Sequence, residues 1–128
     1  KFMDKSSGYI LIIDDSTTNQ VLMEALLQEE GFSTYSASSA TEAYGIIQKR
    51  IPALILLDLL MPQVSGIECL KQLKSSPDTA KVPVVVVSAV LSPEYKEACS
   101  KLGADDYYTK PIDIDGFIKR IEEILEVV

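Results

Sequence analysis

The chain has 128 residues and a mass of 14.1 kDa, the size of one domain with a core large enough to stand without staples. Apolar residues make up 47% and charged residues 24%, which excludes a disordered tail, a collagen-like repeat and a coiled coil. Twelve basic against nineteen acidic residues leave a net charge of −7, so most of the surface repels a phosphate backbone and direct nucleic-acid binding is not expected.

Five short apolar segments alternate with five amphipathic ones. The first strand is predicted over 9–13, where every position is apolar, and Ser16 is placed to cap a helix over 17–30. Val21, Leu22, Ala25 and Leu26 share one face of that helix, and Gly31 stops it. A mixed strand follows over 33–37. Ser39 and Glu42 have capping-box spacing at the start of a helix over 39–49, with Ala43, Ile46 and Ile47 on one face. Residues 53–57 form a second fully apolar strand. Ser65 and Glu68 repeat the capping spacing for a helix over 65–74, with Ile67 and Leu70 behind. Residues 83–87 make a third apolar strand. Ser92-Pro93 reads as a cap followed by proline at the first helical position, opening a helix over 93–102. A mixed strand over 105–109 precedes the last helix, 113–126, with its stripe Ile114, Phe117, Ile118, Ile121 and Leu125.

Strands apolar at every position are covered on both faces, as in the centre of a parallel sheet. The two mixed strands then sit at the edges. The fold class is therefore α/β, a doubly wound five-stranded parallel sheet of flavodoxin-like type in the order 2-1-3-4-5. Residues 1–8 form an N-terminal extension or cloning remnant, and 9–127 form the domain. Lys1 and Phe2 precede Met3, so the start is a processed or engineered end, or a cut from a longer chain. No apolar run approaches the ~20 residues that cross a bilayer, so no membrane partner is expected. With no signal peptide, Cys69 and Cys99 read as reduced core thiols in a cytoplasmic protein.

Open α/β sheets bind ligands at the carboxyl ends of their strands. There the first strand ends in Asp14-Asp15, the third in Asp58, the fourth in Ser88 and the fifth in Lys110-Pro111. Three carboxylates in one crevice repel by about 4 kcal/mol per pair at 4 Å and an effective dielectric near 20. A divalent cation removes that conflict, and an all-oxygen donor set without histidine or cysteine suits Mg²⁺. Lys110 offers a point charge for a phosphoryl oxygen, and Ser88 offers a small hydroxyl. An aspartate beside a metal and a lysine is a candidate nucleophile for phosphoryl transfer. Asp105 and Asp106 read as a solvated face.

These pieces, in order, resemble the receiver domain of two-component response regulators. The matching residues are Ile13-Asp14-Asp15 with Asn19, Leu57-Asp58 followed by Met61-Pro62 and Gly66, Val87-Ser88-Ala89, and Gly103-Ala104-Asp105-Asp106-Tyr107 leading into Lys110-Pro111. Each alone is weak; together they span nearly the whole chain. The resemblance implies that Asp58 accepts the phosphoryl group and that Asp14, Asp15, Asp58 and the backbone carbonyl of Leu60 hold Mg²⁺. It implies that Ser88 and Lys110 engage the phosphoryl group, that Tyr107 is an aromatic switch, and that Lys110-Pro111 is a cis peptide. The donor would be a sensor histidine kinase or a phosphotransfer protein. The domain would catalyse only its own phosphorylation and dephosphorylation, without metabolic turnover. Phosphorylation would switch the face of helix 4, strand 5 and helix 5 toward a downstream target or a fused output domain. Lys119 and Arg120 near Glu122 and Glu123 permit a homodimer through that face. Leu60 and Val90, both apolar, flank the acceptor and Ser88, and a long-lived phosphoryl group is expected from them.

Three other readings compete. A receiver-like interaction module that takes no phosphate would be expected to have lost some of Asp14, Asp15, Asp58, Ser88 and Lys110. A haloacid-dehalogenase-like phosphatase needs a second acid two residues past its nucleophile, where this chain has Leu60. An FMN carrier could place phosphate at the hydroxyl-rich turn 16–19, but Asp14 and Asp15 repel a dianion there.

Overall fold

The computed structural model describes residue 5 and residues 7–59, 65–89 and 92–127. Five strands and five helices alternate along the chain: β1 (Tyr9–Ile13), α1 (Thr17–Glu29), β2 (Ser33–Ala37), α2 (Ala40–Lys49), β3 (Leu54–Leu57), α3 (Gly66–Ser75), β4 (Val84–Ser88), α4 (Pro93–Lys101), β5 (Asp106–Thr109) and α5 (Ile114–Leu125). All pairings are parallel and the strand order is β2-β1-β3-β4-β5. Every expected element is present, with bounds shifted by one residue or so.

The alternation of side chains along each strand divides the interior in two. Tyr9, Leu11 and Ile13 of β1 join Ala43 and Ile47 of α2, Cys69, Leu70 and Leu73 of α3 and Cys99 of α4. Ile10 and Ile12 face the other way, toward Leu27 of α1 and Phe117, Ile118, Ile121 and Leu125 of α5. So α1 and α5 cover one face of the sheet, and α2, α3 and α4 cover the other. β1, β3 and β4 are buried at every position, whereas β2 alternates and β5 is half-buried throughout. Both expected core thiols, Cys69 and Cys99, are fully buried.

The caps explain where the helices start. Ser16 Oγ accepts from Asn19 N at 3.2 Å, Ser39 Oγ from Glu42 N at 3.1 Å and Ser65 Oγ from Glu68 N at 3.2 Å. Glu42 completes its box one residue early: its carboxylate accepts from Ser38 N at 2.8 Å. Ser92 makes no side-chain cap bond; Pro93, lacking an N–H, already removes one unpaired donor from that turn. Gly31 ends α1 at φ +95°, a conformation that favours glycine.

Two apolar stripes need correction. In α1 the face that meets the sheet is Met23, Leu26 and Leu27, while Val21 and Leu22 are 57% and 64% exposed. Ile114 likewise leaves the α5 stripe and is 51% exposed.

Asp105 is exposed and Asp106 partly so, and neither joins the carboxylates at the strand ends, but both are engaged. Asp105 Oδ2 accepts from Val84 N at 2.9 Å and faces Lys74 Nζ at 3.7 Å. Asp106 Oδ1 accepts from Tyr107 N at 2.8 Å, and its Oδ2 accepts from Arg120 Nε at 2.9 Å. Both carboxylates bind the start of β4 and β5 to neighbouring elements. Among the described residues, no helix is long and apolar enough to cross a membrane.

Candidate functional site

The carboxyl ends of β1, β3, β4 and β5 bring Asp14, Asp15, Asp58, Ser88 and Lys110 to one edge of the sheet. Ligand oxygens of Asp14, Asp15 and Asp58 all lie within 4.8 Å of one another. Asp14 and Asp58 are 6% and 7% exposed, and Asp15 is exposed. Lys110 Nζ reaches both buried carboxylates, at 3.4 Å from Asp14 Oδ2 and 3.6 Å from Asp58 Oδ2. Three carboxylates against one ammonium leave two negative charges uncompensated in that group. At this spacing each carboxylate pair repels by about 3 kcal/mol at an effective dielectric near 20. A hard divalent cation fits both the charge and the all-oxygen donors.

The surrounding backbone holds these groups firmly. Asp14 N donates to Ala37 O at 3.0 Å and Asp58 N donates to Ile13 O at 2.9 Å, which locks the two acidic strand ends into the sheet. Asp14 Oδ1 accepts from Ser16 N at 2.9 Å, so the turn into α1 orients that carboxylate. Ser88 is fully buried. Its carbonyl accepts from Lys110 N at 2.9 Å, which couples the ends of β4 and β5. Lys110-Pro111 is a cis peptide, as the resemblance implied.

Gly66 lets α3 approach the end of β3. Its N–H donates to Leu59 O at 2.9 Å. A Cβ there would lie 2.2 Å from Leu59 Cα and 2.7 Å from the Asp58 carbonyl oxygen, closer than any side chain tolerates.

Tyr107 and Tyr108 point to opposite faces of β5. Tyr107 is half-buried and packs against the core under α4. Burial first, then the neighbouring Cys99 and Asp58, push its phenol above the ordinary value. Tyr108 meets Phe117 edge-on, with ring centroids 5.2 Å apart, and belongs to the core under α5. Leu60, Met61, Pro62 and Val90 lie outside the described residues.

Three residues that sequence reasoning passed over belong to this region. Leu22 and Ile114 line a cleft of ≈ 470 Å³ together with Met23, Leu26 and Ile112, and Asp14, Asp58 and Lys110 open into it. Gln20 binds the Asp14 carbonyl. Leu22 and Ile114 were legible only as core stripes, and Gln20 carried no signal.

The comparisons with known proteins agree with this arrangement. The family model for the response regulator receiver domain matches residues 10–122. Protein PilH of Pseudomonas aeruginosa is 30% identical over 116 residues, covering 91% of this chain and 96% of that protein. The polar-differentiation response regulator DivK of Brucella ovis is 32% identical over 116 residues, covering 91% and 94%. Among solved structures, a putative response regulator from Chloroflexus aurantiacus superposes with a TM-score of 0.87 at 29% identity, covering 94% of this chain and 98% of that one. A CheY-like receiver domain protein from Methanospirillum hungatei gives 0.86 at 27% identity, covering 94% and 95%. This chain belongs to the response regulator receiver domain family. It is accordingly a signalling domain of two-component systems, not a metabolic enzyme.

Proposed function

We propose that residues 9–127 act as a phospho-accepting receiver in which Asp58 takes a phosphoryl group from the phosphohistidine of a sensor histidine kinase or phosphotransfer protein. A carboxylate oxygen of Asp58 attacks phosphorus, the P–N bond breaks, and the electron pair leaves with the imidazole, which takes up a proton. Lys110, within reach of Asp58, pairs with the phosphoryl oxygens as they arrive. Asp14, Asp15 and Asp58, with the Leu60 carbonyl, would hold Mg²⁺. When bound, Mg²⁺ supplies positive charge that offsets the carboxylates and the incoming phosphate. The domain contributes mostly placement and electrostatics, which is what phosphoryl transfer needs. The observation that carries this reading is one ammonium facing two buried carboxylates of a three-carboxylate group at the sheet edge.

Ser88, joined to Lys110 through its carbonyl, then responds to the phosphoryl group, and Tyr107 follows it. The face of α4, β5 and α5 changes, and a downstream target or a fused output domain reads the change as a population shift. Arg120 is engaged within the chain by Asp106 and by Glu123 at 3.7 Å, so a homodimer through this face would have to reuse or break those pairs. The exposed Leu22 and Ile114 at the cleft, with the exposed Val21 beside Leu22 on α1, offer the donor protein an apolar footing. This reading places the protein in the cytoplasm.

The test is intact-protein mass after incubation with acetyl phosphate and Mg²⁺, beside Asp58→Ala. One phosphoryl group on the parent and none on the variant is expected. A folded parent that takes no phosphate from acetyl phosphate or from a histidine kinase would favour the unphosphorylated interaction module.

A further inference from the structure

We infer that Gln20 is a positioning residue for the acidic cluster, holding the Asp14–Asp15 peptide so that Asp15 faces the cation site. The inference rests on the reading of that cluster as a Mg²⁺ site. Gln20 lies in the first turns of α1, and its backbone N–H already donates to Ser16 O at 3.0 Å. Helix formation therefore does not need its side chain. The side-chain amide has two N–H donors, and both are spent outside the helix. Nε2 donates to Asp14 O at 2.6 Å and to Ser38 Oγ at 3.1 Å.

The peptide that joins Asp14 to Asp15 thus has its oxygen held by Gln20. The preceding peptide nitrogen, Asp14 N, is held by Ala37 O at 3.0 Å. The Asp14 side chain has its own anchors in Ser16 N and Lys110. Among the described residues, Asp15, which is exposed, has no such side-chain anchor and depends on the backbone that Gln20 clamps. Ser38 extends the clamp, because Ser38 N is held by Glu42 Oε1 at 2.8 Å. One amide therefore ties the end of β1 to the junction between β2 and α2. Loss of the donor frees the Asp14–Asp15 peptide to rotate, and the Asp15 carboxylate goes with it. Groups that orient a metal ligand typically change metal affinity by about 10–100-fold when removed.

Mg²⁺ titration followed by amide NMR, with thermal unfolding in EDTA, tests this on the full chain. Gln20→Leu keeps the volume and removes both donors; Gln20→Arg keeps donors. We expect Gln20→Leu to raise the Mg²⁺ Kd by about tenfold, with an unfolding midpoint in EDTA like the parent's. Gln20→Arg should stay within about threefold of the parent, and Ser38→Ala should fall between. An unchanged Kd in Gln20→Leu, or equal losses in Gln20→Leu and Gln20→Arg, would overturn the inference. So would a Gln20→Leu chain that fails to fold without Mg²⁺, since the amide would then be a stability element. A parent that binds no Mg²⁺ would instead remove the metal reading itself.

Discussion

Gly66 lets α3 sit closer to the end of β3 than a methyl group would allow. A Cβ would lie 2.2 Å from Leu59 Cα, and the backbone there cannot yield as a flexible side chain could. Gly66→Ala is expected to lose about 1–3 kcal/mol of stability, the usual cost of overpacking, as measured by urea unfolding. It should also slow phosphorylation by acetyl phosphate, since the displaced residues include Asp58. A second expectation concerns charge. Saturating Mg²⁺ should raise the parent's melting temperature by several degrees, in line with about 2.7 kcal/mol at a hundredfold excess over Kd. Asp58→Asn should show a clearly smaller rise, because one of the three repelling carboxylates has gone. Asp14, Asp15, Asp58 and Lys110 were legible in the sequence because charges at the ends of fully apolar strands have few places to be except a site. Gln20 was not, since its two acceptors lie 6 and 18 residues away and nothing local links them.

At the scale of the element, α1 carries both a buried residue and exposed apolar ones. Leu27 is fully buried against the α5 side of the core, so Leu27→Ala should cost about 2–5 kcal/mol in urea unfolding. Leu22, more than a turn nearer the site, is 64% exposed. Leu22→Ser should change stability by less than about 0.5 kcal/mol. It should slow phosphotransfer from a histidine kinase by about tenfold, the loss of one apolar contact at a docking surface, and leave acetyl phosphate labelling unchanged. Equal slowing with both donors would show that Leu22 shapes the reacting centre, not a docking surface. Helix starts were legible from Ser16, Ser39 and Ser65, because a cap is a local bond spanning three residues. The core face of α1 was not, because Val21 and Leu22 keep helical period with the residues that are buried. Only the packing of the assembled fold distinguishes them. The partners of Asp105 and Asp106 were hidden for a similar reason: Val84, Lys74 and Arg120 come from other elements.

Across the whole molecule, burial sets a limit on alkaline stability. Burial holds the Cys69 and Cys99 thiols above their ordinary 9.0, and it holds Tyr9, Tyr44, Tyr107 and Tyr108 above 10.0. Between the unfolded and folded values the unfolded chain binds fewer protons than the native one, so stability falls as pH rises. The contribution is fully present below pH 9 and declines above it, by on the order of 1.4 kcal/mol per pH unit for each buried thiol. Urea midpoints should be flat from pH 7 to about 8.5 and drop steeply by about pH 10. A flat profile through that range would mean these groups stay solvated in the native state.

The order of strands, the two-faced burial of the central three, the helix starts and the identity of the acidic residues all follow from the chain alone. Each depends on period, on a local cap or on the high cost of burying an idle charge. The tertiary structure alone decided which apolar residues face solvent beside the site, which carboxylates bind neighbouring elements, and which side chain holds the Asp14–Asp15 peptide. Those depend on groups far apart in sequence meeting at distances near 3 Å, and no local pattern of residues encodes where a distant partner will stand.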